Sequence, residues 1–214
     1  MALQRQGAVG SRAQVLAIAG GSGSGKTTLA GALLEVLTPD RVALVSLDTY
    51  YHDLSHLARK DRESINFDHP EALDLALFCR HLECLRRGEP VECPDYDFTA
   101  HCRRSAGRRV EPRRLIVVEG ILLAATPALR DLYDHLVFIE TPAHLRRDRR
   151  HRRDQFERGR DAASIERFWM RAEESFADWG PVARESADQV IDGAQSPQAM
   201  LAALTATFEL GKYA

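Results

Sequence analysis

A glycine-rich motif near the start of the chain constrains the fold more than any other stretch. Residues 20–28 read GGSGSGKTT and fit the pattern G-x-x-x-x-G-K-[ST]. The apolar run VLAIA at residues 15–19 predicts a buried strand before the motif, and apolar residues at helical spacing in residues 28–37 predict a helix after it. A Gly/Ser-rich turn is the alternative, but the flanking strand and helix favour a phosphate-binding loop on an α/β domain.

The residues of this loop have separate expected roles. Backbone N–H groups would surround a polyphosphate, Lys26 would reach its β- and γ-phosphates, and the Thr27 hydroxyl would hold Mg²⁺. The residues expected to bind the nucleotide are Gly20, Gly21, Ser22, Gly23, Ser24, Gly25, Lys26, Thr27 and Thr28.

Carboxylates follow two further apolar runs. Asp48 comes directly after RVALVSL at residues 41–47, and Glu119 ends RLIVVE at residues 114–119. Ligands of open α/β sheets bind at the carboxyl ends of the strands, so both acids are expected to face the phosphate loop. Glu119 has the position of a Walker B acid that binds Mg²⁺ directly or through water. Asp48 could orient an acceptor hydroxyl, take its proton or help to hold the metal, and an N-cap of the next helix is an equally good interpretation.

A short segment before the next predicted helix carries a ring beside a carboxylate. Phe67 and Asp68 lie in NFDHPEALD, and Pro70 predicts a helix start whose apolar pattern continues over residues 72–85. Taken alone, this segment is typical of a helix cap with a hydrophobic staple.

Alternating residues replace helical spacing at about residues 89–113. Proline and glycine interrupt this stretch, which predicts a protruding β-hairpin with Gly107 at its turn. Within it, Tyr96, Phe98 and His101 could form the wall and the hydrogen-bonding edge of a site for a flat heterocycle. A small hydrophobic core is the alternative for these three residues.

An arginine-rich segment at about residues 144–163 predicts a mobile lid. Residues 146–153 contain six arginines, and the sequence R-G-R follows at residues 158–160. Guanidinium groups on such a lid would stabilise a transferring phosphoryl group, and closure would exclude water. The alternative is a solvated helix face on which the arginines pair with nearby acids, namely Asp148, Asp154 and Glu157.

Composition limits the remaining possibilities. The 214 residues fit a single domain spanning residues 1–214, and a net charge of −2 argues against bulk affinity for nucleic acid. The four cysteines form no C-x-x-C pair and are expected to be free thiols. Residues 1–14 lack the apolar core of a signal peptide and no apolar run reaches membrane-spanning length, so we expect a cytoplasmic protein without membrane contact.

Together these motifs resemble the uridine kinase family of P-loop kinases. The resemblance runs over about residues 15–192 and rests on the ordered segments GGSGSGKTT, LDTYYHDL, NFDHPEALD, PDYDFTAHCR, VVEGIL and ERGRD. It implies a P-loop NTPase fold with a parallel sheet flanked by helices, a hairpin insertion and the lid. It also implies a kinase that uses Mg²⁺ and transfers the γ-phosphate of ATP or GTP to the 5′-hydroxyl of uridine or cytidine. Members of the family tend to form tetramers, so a homo-oligomer is expected.

The resemblance assigns roles to individual residues. Asp48 matches the general base for the 5′-hydroxyl and lies near the metal with Thr27 and Glu119, while Asp68 matches the carboxylate that binds the ribose hydroxyls. The other residues that match nucleoside contacts are Tyr51, Phe67, Tyr96, Phe98, His101, Arg150 and Arg160. Arg153 and Arg158 match phosphate contacts and, with Lys26 and Asp48, complete the expected catalytic set. Phe168 stands where family members tend to have Gln, which removes one polar contact to the substrate.

Two other functions compete with this interpretation. One is a related small-molecule kinase of the phosphoribulokinase or pantothenate kinase type. The other is a nucleotide-dependent RNA-binding module that uses the arginine-rich segment, for which steeply salt-dependent RNA binding is expected.

Overall fold

A parallel sheet forms the centre of the computed structural model, which describes residues 12–37, 40–62 and 64–213. Its five strands, in spatial order, are β2 (Val42–Ser46), β7 (Leu115–Gly120), β1 (Gln14–Gly20), β8 (His135–Glu140) and β9 (Gln189–Asp192). Every neighbouring pair is parallel. Strands β1 and β7 are almost wholly buried, as their continuous apolar runs require. The predicted α/β class is confirmed.

Helices and short 3₁₀ turns connect the strands. The helices are α1 (Lys26–Val36), α2 (Arg59–Arg62), α3 (Leu75–Arg86), α4 (Pro127–Arg130), α5 (Ala143–Phe156), α6 (Ala162–Glu185) and α7 (Pro197–Thr207). The 3₁₀ turns are Leu47–Tyr50, Pro70–Ala72 and Leu210–Lys212. No helix in these residues is long and apolar enough to cross a membrane. Residues 1–11, which include most of the stretch without a signal-peptide core, lie outside the described residues.

The two faces of the sheet carry separate apolar clusters. Because successive side chains of a strand point to opposite faces, Leu16 and Ile18 of β1 pack with α1 and α7. Val15, Ala17 and Ala19 pack on the other face, in a cluster that also contains residues of α3 and α6. The sheet is therefore covered on both sides, and its carboxyl edge remains open for a ligand.

The hairpin region contains two short antiparallel ladders, and its turn differs from the prediction. Strand β3 (Val91–Cys93) pairs with β6 (Arg108–Val110), and β4 (Tyr96–Asp97) pairs with β5 (Cys102–Arg103). The predicted turn at Gly107 is wrong, because the chain reverses at residues 98–101. The Asp97 carboxylate accepts the N–H groups of Thr99 and Ala100, both at 2.9 Å, and this side-chain cap fixes the turn.

The predicted helix start at Pro70 is also wrong. Pro70 begins only a three-residue 3₁₀ turn, and α3 starts at Leu75. The cap of the 3₁₀ turn is His69, whose Nδ1 accepts the Glu71 N–H, and the cap of α3 is Asp74. Asp68 caps neither element, which leaves its carboxylate for another role.

Candidate active site

Three glycines shape the phosphate loop between β1 and α1. Gly20, Gly23 and Gly25 have φ angles of 147°, 79° and 109°, which side chains of L-residues rarely adopt. A Cβ on Gly20 would lie 2.7 Å from the Ile139 carbonyl oxygen, and one on Gly23 would clash with the Arg146 carbonyl oxygen. The loop thus packs against neighbouring backbone, and the free N–H groups at the start of α1 lie at its base.

Two distant parts of the chain hold the outer side of this loop. The Ser24 carbonyl oxygen accepts the Thr141 hydroxyl at 3.0 Å and Arg149 Nη1 at 3.3 Å. The same Arg149 nitrogen donates to the Gly193 carbonyl oxygen at 2.9 Å. Gly193 follows β9, and a Cβ there would lie 2.6 Å from the Ser24 carbonyl oxygen. The loop conformation therefore depends on residues at the edge of the sheet.

A carboxylate and hydroxyl cluster lies at the end of α1 nearest the loop. Thr27 Oγ1 donates to Glu119 Oε2 at 3.3 Å, and the Ser46 hydroxyl donates to Glu119 Oε1. Burial, reinforced by the charge of Asp48, raises the pKa of Glu119. Lys26 Nζ donates to the Gly21 carbonyl oxygen at 3.0 Å, and burial lowers its pKa.

Ser46 was missed by the sequence interpretation, although a signal for it exists. Ser46 is the partner of Glu119 in the parallel pairing of β2 with β7. Both residues therefore lie at the same level of the sheet edge, and the alignment of the two predicted strands could have indicated this.

Asp48 lies in the 3₁₀ turn that follows β2, half-buried at the cavity wall. The N-cap of this turn is Ser46 and no side chain caps it, so the alternative interpretation of Asp48 as an N-cap is wrong. Its carboxylate is close enough to affect the pKa values of Lys26, Asp68 and Glu119.

One cavity of about 620 Å³ brings most of the predicted site residues together. Those that line it are Ser22, Gly23, Gly25, Lys26, Thr27, Thr28, Asp48, Tyr51, Phe67, Asp68, Tyr96, Phe98, His101, Glu119, Arg150, Arg153, Arg158 and Arg160. Those that do not are Gly20, Gly21 and Ser24, which belong to the body of the loop. The cavity wall also contains Arg149, Gln195 and Met200, to which the sequence interpretation assigns no individual role. Arg149 lies within the arginine-rich segment, whereas Gln195 and Met200 lie outside every motif.

Stacked rings form the end of the cavity away from the phosphate loop. The Phe67 ring stacks on the His101 imidazole with centroids 4.7 Å apart, and Phe168 lies 6.0 Å away on its other side. His101 has φ 52°, a left-handed conformation at the hairpin turn. Tyr51 packs against both Phe67 and Tyr96. These rings form a small apolar cluster that is also the wall of the cavity, and they place a polar imidazole among flat apolar surfaces.

Asp68 and Arg150 form a buried pair between the rings and the phosphate loop. Asp68 Oδ2 lies 4.0 Å from Arg150 Nη2, and both side chains are less than 10% exposed. Burial raises the pKa of Asp68, and the Arg150 charge opposes this. Arg150 Nε and Nη1 have no hydrogen-bond partner among the described residues, although both atoms are buried. Unpaired buried donors at a cavity wall are typical of a site that is completed by a ligand.

The predicted lid places several arginines over the cavity. Asp154 on α5 is fully buried, and its carboxylate lies within 4.0 Å of four guanidinium groups, those of Arg150, Arg153, Arg158 and Arg160. Arg158 lies over the Phe98 ring and Arg160 over the Phe168 ring. Arg147 instead forms an exposed pair with Glu166, so the alternative of a solvated helix face applies to that arginine.

The residues present fit a nucleoside triphosphate with Mg²⁺. The buried Nη1 of Arg150 has no hydrogen-bond partner within the described residues, and Arg150 lines the same cavity as Lys26 and the phosphate loop. Thr27, Glu119 and Asp48 supply the hydroxyl and carboxylate oxygens that Mg²⁺ prefers, and phosphate and water oxygens normally complete its shell.

The parallel sheet, the phosphate loop at its carboxyl edge and the arginine cluster over that loop define a P-loop kinase fold. The chain belongs to the Phosphoribulokinase / Uridine kinase family, whose family model matches residues 15–197.

Curated relatives agree with this family. The chain is 44% identical over 150 residues to the uridine kinase of Alkaliphilus metalliredigens, which covers 70% of this chain and 72% of that protein. It is 46% identical over 151 residues to the uridine kinase of Chloroflexus aurantiacus, with 71% and 72% covered.

Solved structures show the same fold at low identity. A possible uridine kinase from Bacillus stearothermophilus has a TM-score of 0.55 at 20% identity and covers 87% of this chain and 92% of its own. The phosphoribulokinase from Rhodobacter spheroides has a TM-score of 0.61 at 14% identity, with 87% and 74% covered.

Proposed function

We propose that this protein is a pyrimidine ribonucleoside kinase, which phosphorylates the 5′-hydroxyl of uridine or cytidine with ATP to give UMP or CMP. The observation that carries the proposal is one cavity whose wall contains both a phosphate loop and a cluster of flat rings. Relatives named uridine kinase that match over two thirds of this chain support the same substrate.

Asp68 and Arg150 orient the acceptor in this proposal. The ionised Asp68 accepts hydrogen bonds from the ribose hydroxyls, and Arg150 Nη1, which has no hydrogen-bond partner among the described residues, donates to acceptor oxygens. Phe67 and Tyr96 contact the faces of the pyrimidine, and His101 forms a hydrogen bond with its edge. The nucleoside is thereby held with its 5′ end towards the phosphate loop.

Asp48 takes the proton of the 5′-hydroxyl as the oxygen attacks. Its place between Asp68 and the Thr27–Glu119 pair suits a base that must reach both the acceptor and the donor. Bound Mg²⁺-ATP supplies the phosphoryl group, and Thr27, Glu119 and Asp48 would hold the metal. Lys26, Arg153 and Arg158 stabilise the negative charge that moves to the leaving oxygen, and the arginine-rich segment excludes water.

A neutral acceptor suits this cavity better than a phosphorylated sugar. The rings of Tyr51, Phe67 and Tyr96 line the far end of the cavity, and the arginines nearest to these rings, Arg158 and Arg160, are already paired with Asp154. A pyrimidine needs flat apolar surfaces there, with one polar edge.

A coupled assay with Mg²⁺ tests the proposal. Purified protein is given ATP or GTP together with uridine, cytidine, adenosine, ribulose 5-phosphate or pantothenate. Turnover confined to uridine or cytidine is expected, and turnover only with another acceptor would refute the proposed substrate. Binding of RNA that falls steeply with salt, without turnover of any acceptor, would favour the RNA-binding alternative. By family resemblance we also propose a homo-oligomer, which sedimentation of the same preparation would test.

A further inference from the structure

Asp154 is a buried carboxylate shared by four arginines. Arg153 donates to Asp154 Oδ1 from Nε at 3.0 Å and from Nη2 at 2.9 Å, and Arg160 Nη1 donates to Oδ2 at 2.9 Å. Arg158 Nη1 lies 3.6 Å from Oδ1, and Arg150 Nε lies 3.6 Å from Oδ2. The Asp154 side chain has no exposed surface, so these contacts replace its hydration.

The surrounding arginines keep the Asp154 carboxylate ionised. Burial alone would raise the pKa of Asp154, but the guanidinium groups of Arg153, Arg158, Arg150 and Arg160 outweigh it and hold the pKa below its usual range. Burial and repulsion from Arg153 lower the pKa of Arg158 to about 10. Four positive charges this close repel each other, and a buried negative charge between them offsets that repulsion.

The position of Asp154 separates it from the reacting groups. All four arginines line the cavity, whereas Asp154 is not part of the cavity wall in the described residues. Arg150 lies between Asp154 and Asp68, so the cluster extends from the acceptor side of the cavity to the phosphate side. Asp154 can therefore influence a reaction in this cavity only through the arginines that it holds.

We propose that Asp154 is a positioning residue, an internal counter-ion that fixes Arg153 and Arg158 for the transferring phosphoryl group and Arg150 and Arg160 for the acceptor, and that lowers the affinity of this cluster for free anions. This inference rests on the phosphoryl transfer proposed above. In the absence of nucleotide the carboxylate takes the place that an inorganic anion would otherwise occupy among the guanidinium groups. When the donor binds, Arg153 and Arg158 contact its phosphates from positions that are already set.

The substitution Asp154→Asn tests this role, because it removes the charge and keeps the shape. Pyrophosphate is titrated by calorimetry without nucleoside, and kcat and KM are measured with ATP and uridine. We expect pyrophosphate to bind about tenfold more tightly, since a competing charge is gone, while kcat falls about 10- to 100-fold and the uridine KM changes less. The matched control is Asp148→Asn on the exposed side of the same helix, which should leave all three values unchanged.

Several results would overturn the inference. Unchanged or weaker pyrophosphate binding would contradict a counter-ion, and so would a kcat within about threefold of the wild-type value. A purely structural role would lower activity and pyrophosphate binding together, in proportion to the folded fraction.

A second variant decides the question if Asp154→Asn does not fold. Asp154→Glu keeps the charge but moves the oxygens by a methylene, so pyrophosphate affinity should stay within about twofold while kcat falls about tenfold. A wild-type kcat in this variant, or failure of both variants to fold while Asp148→Asn folds, would overturn the positioning role. The pyrophosphate titration requires no acceptor, so it remains decisive even if the wild-type protein does not phosphorylate uridine or cytidine.

Discussion

The two ends of the cavity are built in different ways. The phosphate end comes from consecutive residues whose backbone is fixed by glycine conformations and by close packing against β8 and α5. The acceptor end combines side chains from segments far apart in the chain, and these are held by ring stacking and buried ion pairs. Backbone groups recognise any polyphosphate, whereas the side chains determine which molecule receives the phosphate. The first end therefore identifies the class of enzyme, and the second identifies its substrate.

The largest effect is expected for Asp48→Asn, at the boundary between the phosphate end and the acceptor end of the cavity. Because Asp48 would take the acceptor proton, we expect kcat to fall by about two to four orders of magnitude while uridine still binds. Steady-state kinetics and equilibrium binding of uridine measure the two quantities. Asp40→Asn at the opposite end of β2, which is exposed, is the matched control. A kcat close to the wild-type value would remove Asp48 from the proposed mechanism.

Asp68→Asn should affect the acceptor end alone. The loss of a charged hydrogen-bond acceptor should raise the uridine KM about 10- to 100-fold and leave the KM for ATP within about twofold. Because burial raises the pKa of Asp68, the wild-type uridine KM should also increase on acidification at a higher pH than for an ordinary aspartate, as the carboxylate loses its charge. The variant should lack this pH dependence. An equal rise in both KM values would show that the two ends are not separate.

Gly23→Ala should damage the phosphate end alone. The new Cβ would adopt an unfavourable positive φ and meet the Arg146 carbonyl oxygen, so we expect the free energy of unfolding to fall by about 2 kcal/mol and ATP affinity to fall about tenfold. Gly31→Ala in α1 is the control, because its Cβ would meet no atom within 4 Å, and it should stabilise the protein by up to about 1 kcal/mol. Denaturant unfolding and calorimetry measure both variants. Equal effects at the two glycines would argue against a sterically fixed loop.

The smallest effect is expected for Phe168→Leu, which removes one ring from the stack on His101. An aromatic contact contributes about 0.5–1.5 kcal/mol, so the uridine KM should rise about two- to tenfold. Phe156→Leu is the matched control, since Phe156 is 80% exposed near the end of α5. If Phe168→Leu altered the KM for ATP more than that for uridine, the ring would belong to the phosphate end instead.

The difference between the two ends of the cavity also explains which features could be predicted from the sequence. Strands, loop glycines and strand-end acids follow from local patterns, and the confirmed α/β fold follows from their order. Gly107 is a local turn signal, but the hydrogen bonds of the Asp97 side chain set the turn at residues 98–101 instead. Asp148 and Asp154 are alike as sequence, and only packing distinguishes the exposed one from the buried one. The role of a side chain whose partners lie far away in the chain cannot be recognised from local sequence patterns.

The support of the phosphate loop by Arg149 and Gly193 has a consequence for the order of synthesis. The glycine-rich loop leaves the ribosome early, but its Ser24 carbonyl is held by Thr141, which follows β8, and by Arg149 of α5. Arg149 is in turn held by Gly193, which follows β9. A nascent chain that ends before β9 contains the complete motif without the contact between Arg149 and Gly193. We therefore expect ATP to stabilise chains in which β9 has joined the sheet more than incomplete chains, which should gain less protection against proteases.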